Sequence, residues 1–478
     1  MHERPDDILD SAAAGSVIIR GGAHRLLAYG AGMVLSVAGM IVVTRTLGPA
    51  RFGVFQSILS IVMIVGAVTD AGLGALGIRE YTQRSSESRD QMMATLLGIR
   101  VSLTCVGVAA AVLILLIGGG SGDLVVGTVL AGTGLVLTVM QTTVTIPLSV
   151  ELRNGALSLI DLLRQVLTTA AYVVAALVGA GTVLFAAVPL PVSLVVLGVA
   201  MVVVKGSRVP RPSADFGSWR ALLVTAGPLA GATAVGVVLT YATQLLTAAL
   251  ADDLVAGQFA LAFRIFVVFG SISGLLATVA FPLLVRTAHV DGPRFQYALG
   301  RMLDVALVAG VGLGLLLAVG APMVTGLVGT EFAGAQAAVR IVGLALVFAF
   351  VSSPLGFALI GLRLERHLLV ANLAALLAAT VSVLELVELW GAAGASVAVV
   401  AGQGTLAASY AVALARSGHR ARLNTGVAMR VLLVGLVAAA SALLPGPSYV
   451  AVAAAALAYA GGVLFVRALP AEVWSLLR

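Results

Sequence analysis

The chain has 478 residues, 60% hydrophobic and only 10% charged, with a mean hydropathy of +1.10 and a net charge of +7. Soluble domains carry about a quarter charged residues, so this composition excludes a water-soluble globule and requires an exterior that faces lipid. The positive balance does not indicate nucleic acid either, because the arginines punctuate apolar segments instead of forming one stripe.

The first residues, MHERPDDILD, are acidic and polar. A signal peptide would begin basic and run directly into an apolar core, so residues 1–22 read as a retained cytoplasmic tail. A helix needs about 20 apolar residues to cross the hydrocarbon core with its backbone groups satisfied internally. Fourteen segments qualify. The first six are 23–44, 55–78, 92–117, 124–147, 160–180 and 182–204. After the polar stretch KGSRVPRPSADFGSWR (205–220) come 221–250, 256–284, 302–322, 339–360, 368–389 and 394–415, then 428–444 and 449–466.

The expected fold is therefore all-α: a polytopic membrane protein of about 14 helices. It comprises a six-helix lobe at 23–204, a cytoplasmic linker at 205–220 and a second six-helix lobe at 221–415. Residues 416–478 hold two extra helices and a cytoplasmic end. With both termini inside, 24 of the 28 basic residues fall on the cytoplasmic side, the asymmetry that sets topology during insertion. Outside links are short and neutral or acidic: GGGSGD at 118–123, ADD at 251–253 and PGPS at 445–448. The exceptions are Arg45, Arg51, Arg264 and Arg340.

An internal echo supports two halves. GVFQSILSIVMIVG (53–66) and GQFALAFRIFVVFG (257–270) share Gly, Phe, Ile and Gly at matching positions, and each opens the second span of its half. Halves of six spans share one topology, the parallel-repeat arrangement of alternating-access transporters.

Charge inside the bilayer costs about 2.5–3.5 kcal/mol on insertion scales, so it faces a cavity or a partner. Arg264, well inside the eighth span, is the sharpest case: either it lines a water-filled cavity where it meets a ligand anion, or it pairs with Asp252, Asp253 or Glu385. Arg45 and Arg51 flank a Leu-Gly-Pro-Ala turn and serve either as contacts for a phosphate at the outer mouth or as anchors to outer-leaflet lipid. Gly53 lets the next span start close against a neighbour. Asp70, near the inner end of the second span with Arg79 two to three turns on, reads as a buried acceptor tying spans together. Gln141 and Thr142 in the fourth span, and Tyr241 and Gln244 in the seventh, carry groups that bridge helices or contact sugar hydroxyls. Pro228, Pro189, Pro191 and Pro354 interrupt their helices and allow bending.

No phosphate-binding GxxxxGK[ST] loop occurs, no His/Cys/carboxylate set stands at metal-ligand spacing, and the single Cys105 excludes an internal disulfide. No enzyme activity, cofactor or metal is expected.

Taken together, TRTLGPARFGVFQSILSI with TDAGLGALGIREYTQ resembles the first two spans of the polysaccharide exporters that flip polyprenyl-linked oligosaccharides. LVGTEFAGAQAAVRIVGLALVF (327–348), PLGFALIGLRLERHLLV (354–370) and WGAAGASVAVVAGQ (390–403) resemble that family's second half. The resemblance covers about residues 20–420 and implies a multidrug/oligosaccharidyl-lipid/polysaccharide (MOP) exporter fold, two six-helix lobes around a central cavity. It further implies a flippase for a polyprenyl-diphosphate-linked oligosaccharide in the cell membrane and a cavity arginine corresponding to Arg264, and it carries no role onto Arg45. Read from their own chemistry, Arg264, Arg45, Arg51, Tyr241, Gln244, Gln141 and Thr142 are the expected substrate contacts. Asp70, Arg79 and Pro228 take structural or gating roles. Partners would be the lipid-linked glycan, membrane lipid, glycosyltransferases and a polysaccharide polymerase. The competing readings are a multidrug/cation antiporter of the same superfamily and a non-transporting scaffold for glycan assembly. The antiporter needs an embedded carboxylate that the first and seventh spans lack.

Overall fold

A computed structural model describes residues 12–466 and 468, except 71, 85, 152, 205–211, 214, 289–291, 420–423 and 444–445. Half of the expected tail and half of the expected linker lie outside these residues. Among the described residues the chain is helical, without strands. The helices are α1 (Ala12–Asp70), α2 (Leu73–Gln83), α3 (Ser86–Ile117), α4 (Gly122–Val144), α5 (Ile146–Val150), α6 (Asn154–Leu177), α7 (Thr182–Ala187) and α8 (Pro189–Val203). They continue with α9 (Phe216–Leu250), α10 (Asp253–Ala288), α11 (Gly292–Val328), α12 (Gln336–Gly361), α13 (Glu365–Arg416), α14 (Thr425–Ala439) and α15 (Ser448–Phe465). Twelve helical stretches among the described residues are long and apolar enough to cross a membrane.

Two of those stretches are far too long for one crossing, and each contains a break. In α1, Gly48 adopts φ 68° and ψ 175°, and Pro49 starts the next helical turn. Proline suits that place, since its missing N–H would be unpaired there in any case. In α13, Gly391 takes φ 55° and ψ −131° inside the Trp-Gly-Ala-Ala-Gly stretch. A Cβ on Gly394 would stand 2.0 Å from the Leu386 carbonyl oxygen, although residues eight apart in an unbroken helix are separated by about 12 Å. The chain therefore doubles back at Gly391. The expected count of fourteen treats each of these two broken helices as a pair.

The helices bury their polar side chains by local bonding. Thr46, Ser57, Ser60 and Thr104 each donate to the backbone carbonyl four residues earlier, which removes an unpaired hydroxyl from an apolar setting. Large apolar side chains such as Ile114, Ile117, Leu177, Val202 and Phe465 stand outward, exposed by 69–88%. Soluble monomers rarely expose large apolar surface of this kind, and on helices of membrane-crossing length these faces suit contact with lipid.

The described chain separates into two compact units, one of Met1–Thr46 with Thr69–Gly227, the other of Leu47–Val68 with Pro228–Arg478. In the first, Val144, Ile160, Val192, Val196 and Ala200 join α4, α6 and α8. A second cluster of Leu73, Leu76, Met92, Leu96 and Ile146 joins α2, α3 and α5. In the second unit, a core built on Leu239, Leu299, Leu355, Leu359, Ala375 and Leu406 runs through α9, α11, α12 and both arms of α13. The closing helices α14 and α15 seat Val431, Val434 and Tyr459 against Val311 of α11, and the Tyr459 hydroxyl donates to the Val308 carbonyl at 2.7 Å.

One buried polar chain locks this second core. Asn372 donates from Nδ2 to the Ala232 carbonyl at 2.7 Å and accepts the Tyr410 hydroxyl at Oδ1, also at 2.7 Å. Tyr410→Phe leaves that amide oxygen unpaired in a core where Asn372 is 3% exposed. The expected cost is about 1–3 kcal/mol, read as a lowered thermal midpoint of the purified protein; an unchanged midpoint refutes the tie.

Candidate functional site

The residues that sequence reasoning singled out fall into separate groups within the two units. In the second unit, α10 carries Arg264 eleven residues after its first residue, about 16 Å along the helix axis. From Phe259 to Phe266 every other residue is buried, and only Arg264 keeps partial exposure. The helix thus packs on all sides except where the guanidinium leaves it. Among the described residues no carboxylate lies within ion-pair distance of Arg264. Asp252 instead caps the helix by accepting the Val255 N–H at 2.7 Å, and Glu385 is exposed.

Tyr241 of α9 stands beside this position. Its ring meets Phe263 edge-on at 5.6 Å, and its hydroxyl lies within the electrostatic reach of Arg264. Gln244, one turn further along α9, is wholly buried, and neither its amide oxygen nor its amide nitrogen has a protein partner. An orphaned buried amide costs about 1–3 kcal/mol for each unmet group. The structure therefore brings Tyr241 and Arg264 together and leaves Gln244 with unspent hydrogen-bonding capacity on the same helix.

Arg51 is exposed shortly after the Gly48 break, and Arg45 is exposed shortly before it. Beside them, Gly53 meets Gly257, the matching glycine of the internal echo. A Cβ on Gly53 would lie 3.0 Å from the Gly257 amide nitrogen. The close approach expected of Gly53 is made, and its neighbour is its own counterpart in the repeat.

In the first unit, Asp70 does not turn to Arg79. Its carboxylate accepts Nη2 of Arg100, on α3, at 2.5 Å, while Nη1 of Arg100 donates to the Thr143 hydroxyl at 2.6 Å. Arg79 is exposed on α2. Gly72, at φ 69°, ends the run of α1 and sends α2 in a new direction, so spacing along a continuous helix does not apply. Gln141 is buried and accepts Nη2 of Arg164 at 2.6 Å, whereas the neighbouring Thr142 is exposed and bonds back to its own helix at Val139. Pro228 lies within α9, but its side chain is outside the described residues.

Arg100 and Arg164 are the residues that sequence reasoning misses, because in the sequence both read as cytoplasmic charges at span ends. The structure starts α6 at Asn154, which puts Arg164 ten residues inside the helix, and buries Arg100 to 5% exposure within α3. A signal was present: Ser158, Asp161, Arg164 and Thr168 recur three or four residues apart, a polar stripe on an apolar helix.

Comparison with known proteins completes the picture. A family model described as "Polysaccharide biosynthesis protein" matches residues 18–288, more than half of the chain. No curated protein sequence matches. Among solved structures, the lipid II flippase MurJ in an inward closed conformation matches with a TM-score of 0.69 and 11% identity, over 93% of this chain and 100% of that one. An inward-facing multidrug resistance MATE transporter of the MOP superfamily matches with a TM-score of 0.61 and 13% identity, over 82% and 94% of the two chains. A MOP-superfamily transporter from Pyrococcus furiosus, described as having a binding pocket of reverse polarity, gives 0.60 and 14%, over 84% and 95%. At such identities these likenesses speak for the fold, and the family match speaks for membership: this multi-pass membrane protein has the MOP-transporter fold and belongs to the polysaccharide biosynthesis protein family.

Proposed function

We propose that the protein moves a polyprenyl-diphosphate-linked oligosaccharide, a precursor of cell-surface polysaccharide, from the cytoplasmic to the outer leaflet by alternating access. The observation that carries this reading is Arg264, an intramembrane cation with no carboxylate counter-ion among the described residues, on a stretch of α10 that is otherwise sealed. Such a charge costs about 2.5–3.5 kcal/mol within the bilayer and by default faces a cavity or a partner. A lipid-linked diphosphate supplies an anionic partner, and the family's place in polysaccharide biosynthesis supplies the chemical context. Tyr241 and the unspent Gln244 amide suit sugar hydroxyls. Arg45 and Arg51 would receive or release the phosphate at the outer mouth. An inside-negative potential favours outward movement of an anion by about 2.3 kcal/mol per charge per 100 mV, enough to drive the step without ATP.

The test is transport of a fluorescent polyprenyl-diphosphate oligosaccharide by the purified protein in liposomes under an imposed potential. The wild type is expected to move the lipid, and Arg264→Gln to slow it by at least about tenfold, the loss of one charge-assisted contact, with an unchanged thermal midpoint. Transport by Arg264→Gln at the wild-type rate, or none by the wild type, overturns the proposal. A scaffold fails the second criterion, and a cation antiporter would reject the anionic lipid.

A further inference from the structure

Arg100 and Arg164 both lie well inside helices of the first unit, α3 and α6, and their surroundings differ in one decisive respect. Arg100 meets the Asp70 carboxylate. Arg164 meets only neutral oxygens: Nη1 donates to Thr138 Oγ1 at 3.3 Å and to Ser193 Oγ at 3.2 Å, and Nη2 donates to Gln141 Oε1 at 2.6 Å. Among the described residues no carboxylate comes within ion-pair distance of it. Asp161, one turn earlier and exposed, acts on it only through space.

The hydroxyl protons around Arg164 have settled directions. Thr138 donates its own proton to the Gly134 carbonyl at 2.9 Å, so in its 2.9 Å contact with Ser193 it is Ser193 that donates. Both hydroxyls then present lone pairs to the guanidinium. Three bonds hold the fork from α4 and α8 and occupy at most three of its five donors. The remaining donors have no protein partner among the described residues, and the side chain is partly exposed. Arg164 stands about 15 Å along α6, where a charge costs about 2.5–3.5 kcal/mol. Neutral acceptors that fix a guanidinium without neutralising it make a preorganised site for an anion with paired oxygens.

We infer that Arg164, oriented by Thr138, Gln141 and Ser193, is a second phosphate-binding position, distinct from Arg264, that takes the diphosphate of the lipid-linked cargo. This rests on the reading of that cargo given above. Gln141 and the two hydroxyls are positioning residues.

Gln141→Glu separates an anion site from a structural pin. The new carboxylate, placed where Oε1 lies 2.6 Å from Nη2, keeps the bond and neutralises the arginine. A pin would be as firm or firmer, whereas an anion site would close. The measurement is thermal stabilisation of the purified full-length protein by farnesyl diphosphate, with farnesol and inorganic pyrophosphate as parallel probes. The wild type is expected to be stabilised by farnesyl diphosphate and much less by either other probe. Gln141→Glu should match or exceed the wild-type midpoint without ligand while its apparent affinity for farnesyl diphosphate falls by at least about tenfold. Arg164→Lys, which keeps the charge but not the fork, should fall between. Wild-type affinity in Gln141→Glu overturns the assignment. Equal stabilisation by pyrophosphate overturns the lipid-linked source. Arg264→Gln, run alongside, distinguishes the two failures: if it weakens binding and Gln141→Glu does not, only Arg164 is wrong. If the wild type binds no farnesyl diphosphate, the cargo reading falls and this inference with it.

Discussion

Gly257→Ala is expected to remove most of the folded protein recovered from the membrane. The added Cβ would stand 1.9 Å from the Pro49 carbonyl oxygen and 2.3 Å from its carbon, both of them backbone atoms with no rotamer to change. Pro49 has a ring-locked φ and follows Gly48 in a left-handed conformation, so the turn cannot swing aside. The only relief is to push α10 away from the second arm of α1, which would disturb the partners beside it. Phe52 packs edge-on to Phe332 at 6.2 Å, and Phe55 and Ile58 are buried. Overpacking of side chains costs about 1–3 kcal/mol, and this backbone clash should exceed that range. Gly53→Ala is the graded control, since its Cβ would lie 3.0 Å from the Gly257 nitrogen and needs only a small shift. The readout is yield and thermal midpoint of the detergent-purified variants. If Gly257→Ala purifies with the wild-type midpoint, the intimate contact between the two echo glycines does not exist.

That contact shows which parts of the molecule could be read from the chain alone. The all-helical membrane class follows from the scarcity of charge, and the Gly48-Pro49 break from two residues whose backbone preferences need no tertiary context. Gly53 and Gly257 could be aligned as repeats, but that they touch is a property of packing. Orientation about the helix axis was the harder part. In helices apolar all round, periodicity does not say which face is buried, so Gln141 and Thr142 read as equals when a rotation of about 100° puts one inside and the other out. The residue after Thr142 is inward as Gln141 is: Thr143 receives Arg100. Arg164 was hidden for a different reason. A hydropathy window cannot place a helix start to better than a few residues, and starting α6 at Asn154 instead of residue 160 turns an interfacial charge into an embedded one.

The pair Asp70–Arg100 gives the second large effect, and it should be lopsided. Arg100 is 6% exposed in its side chain and Asp70 is 36% exposed. Removing the carboxylate strands a buried guanidinium whose Nε already lacks a partner, leaving it only the Thr143 hydroxyl. Breaking a buried pair from one side costs about 3–5 kcal/mol; with Asp70 more than a third exposed, about 2–3 kcal/mol is expected for Asp70→Ala. Arg100→Met replaces the stem with an apolar chain of similar length and leaves a carboxylate that can turn to solvent, so it should cost less. The double variant should be more stable than Asp70→Ala alone, because removing both charges abolishes the stranded one. The neighbouring tie between Thr69 and Thr104, whose hydroxyls lie 3.2 Å apart, keeps the end of α1 on α3 in all three proteins, so the variants differ in charge and not in connection. Thermal midpoints of the four proteins, arranged as a double-mutant cycle, give the coupling directly. A double variant less stable than both singles would mean that the pair holds the break after Asp70 by its geometry, and that the burden of a stranded charge is not what sets its worth.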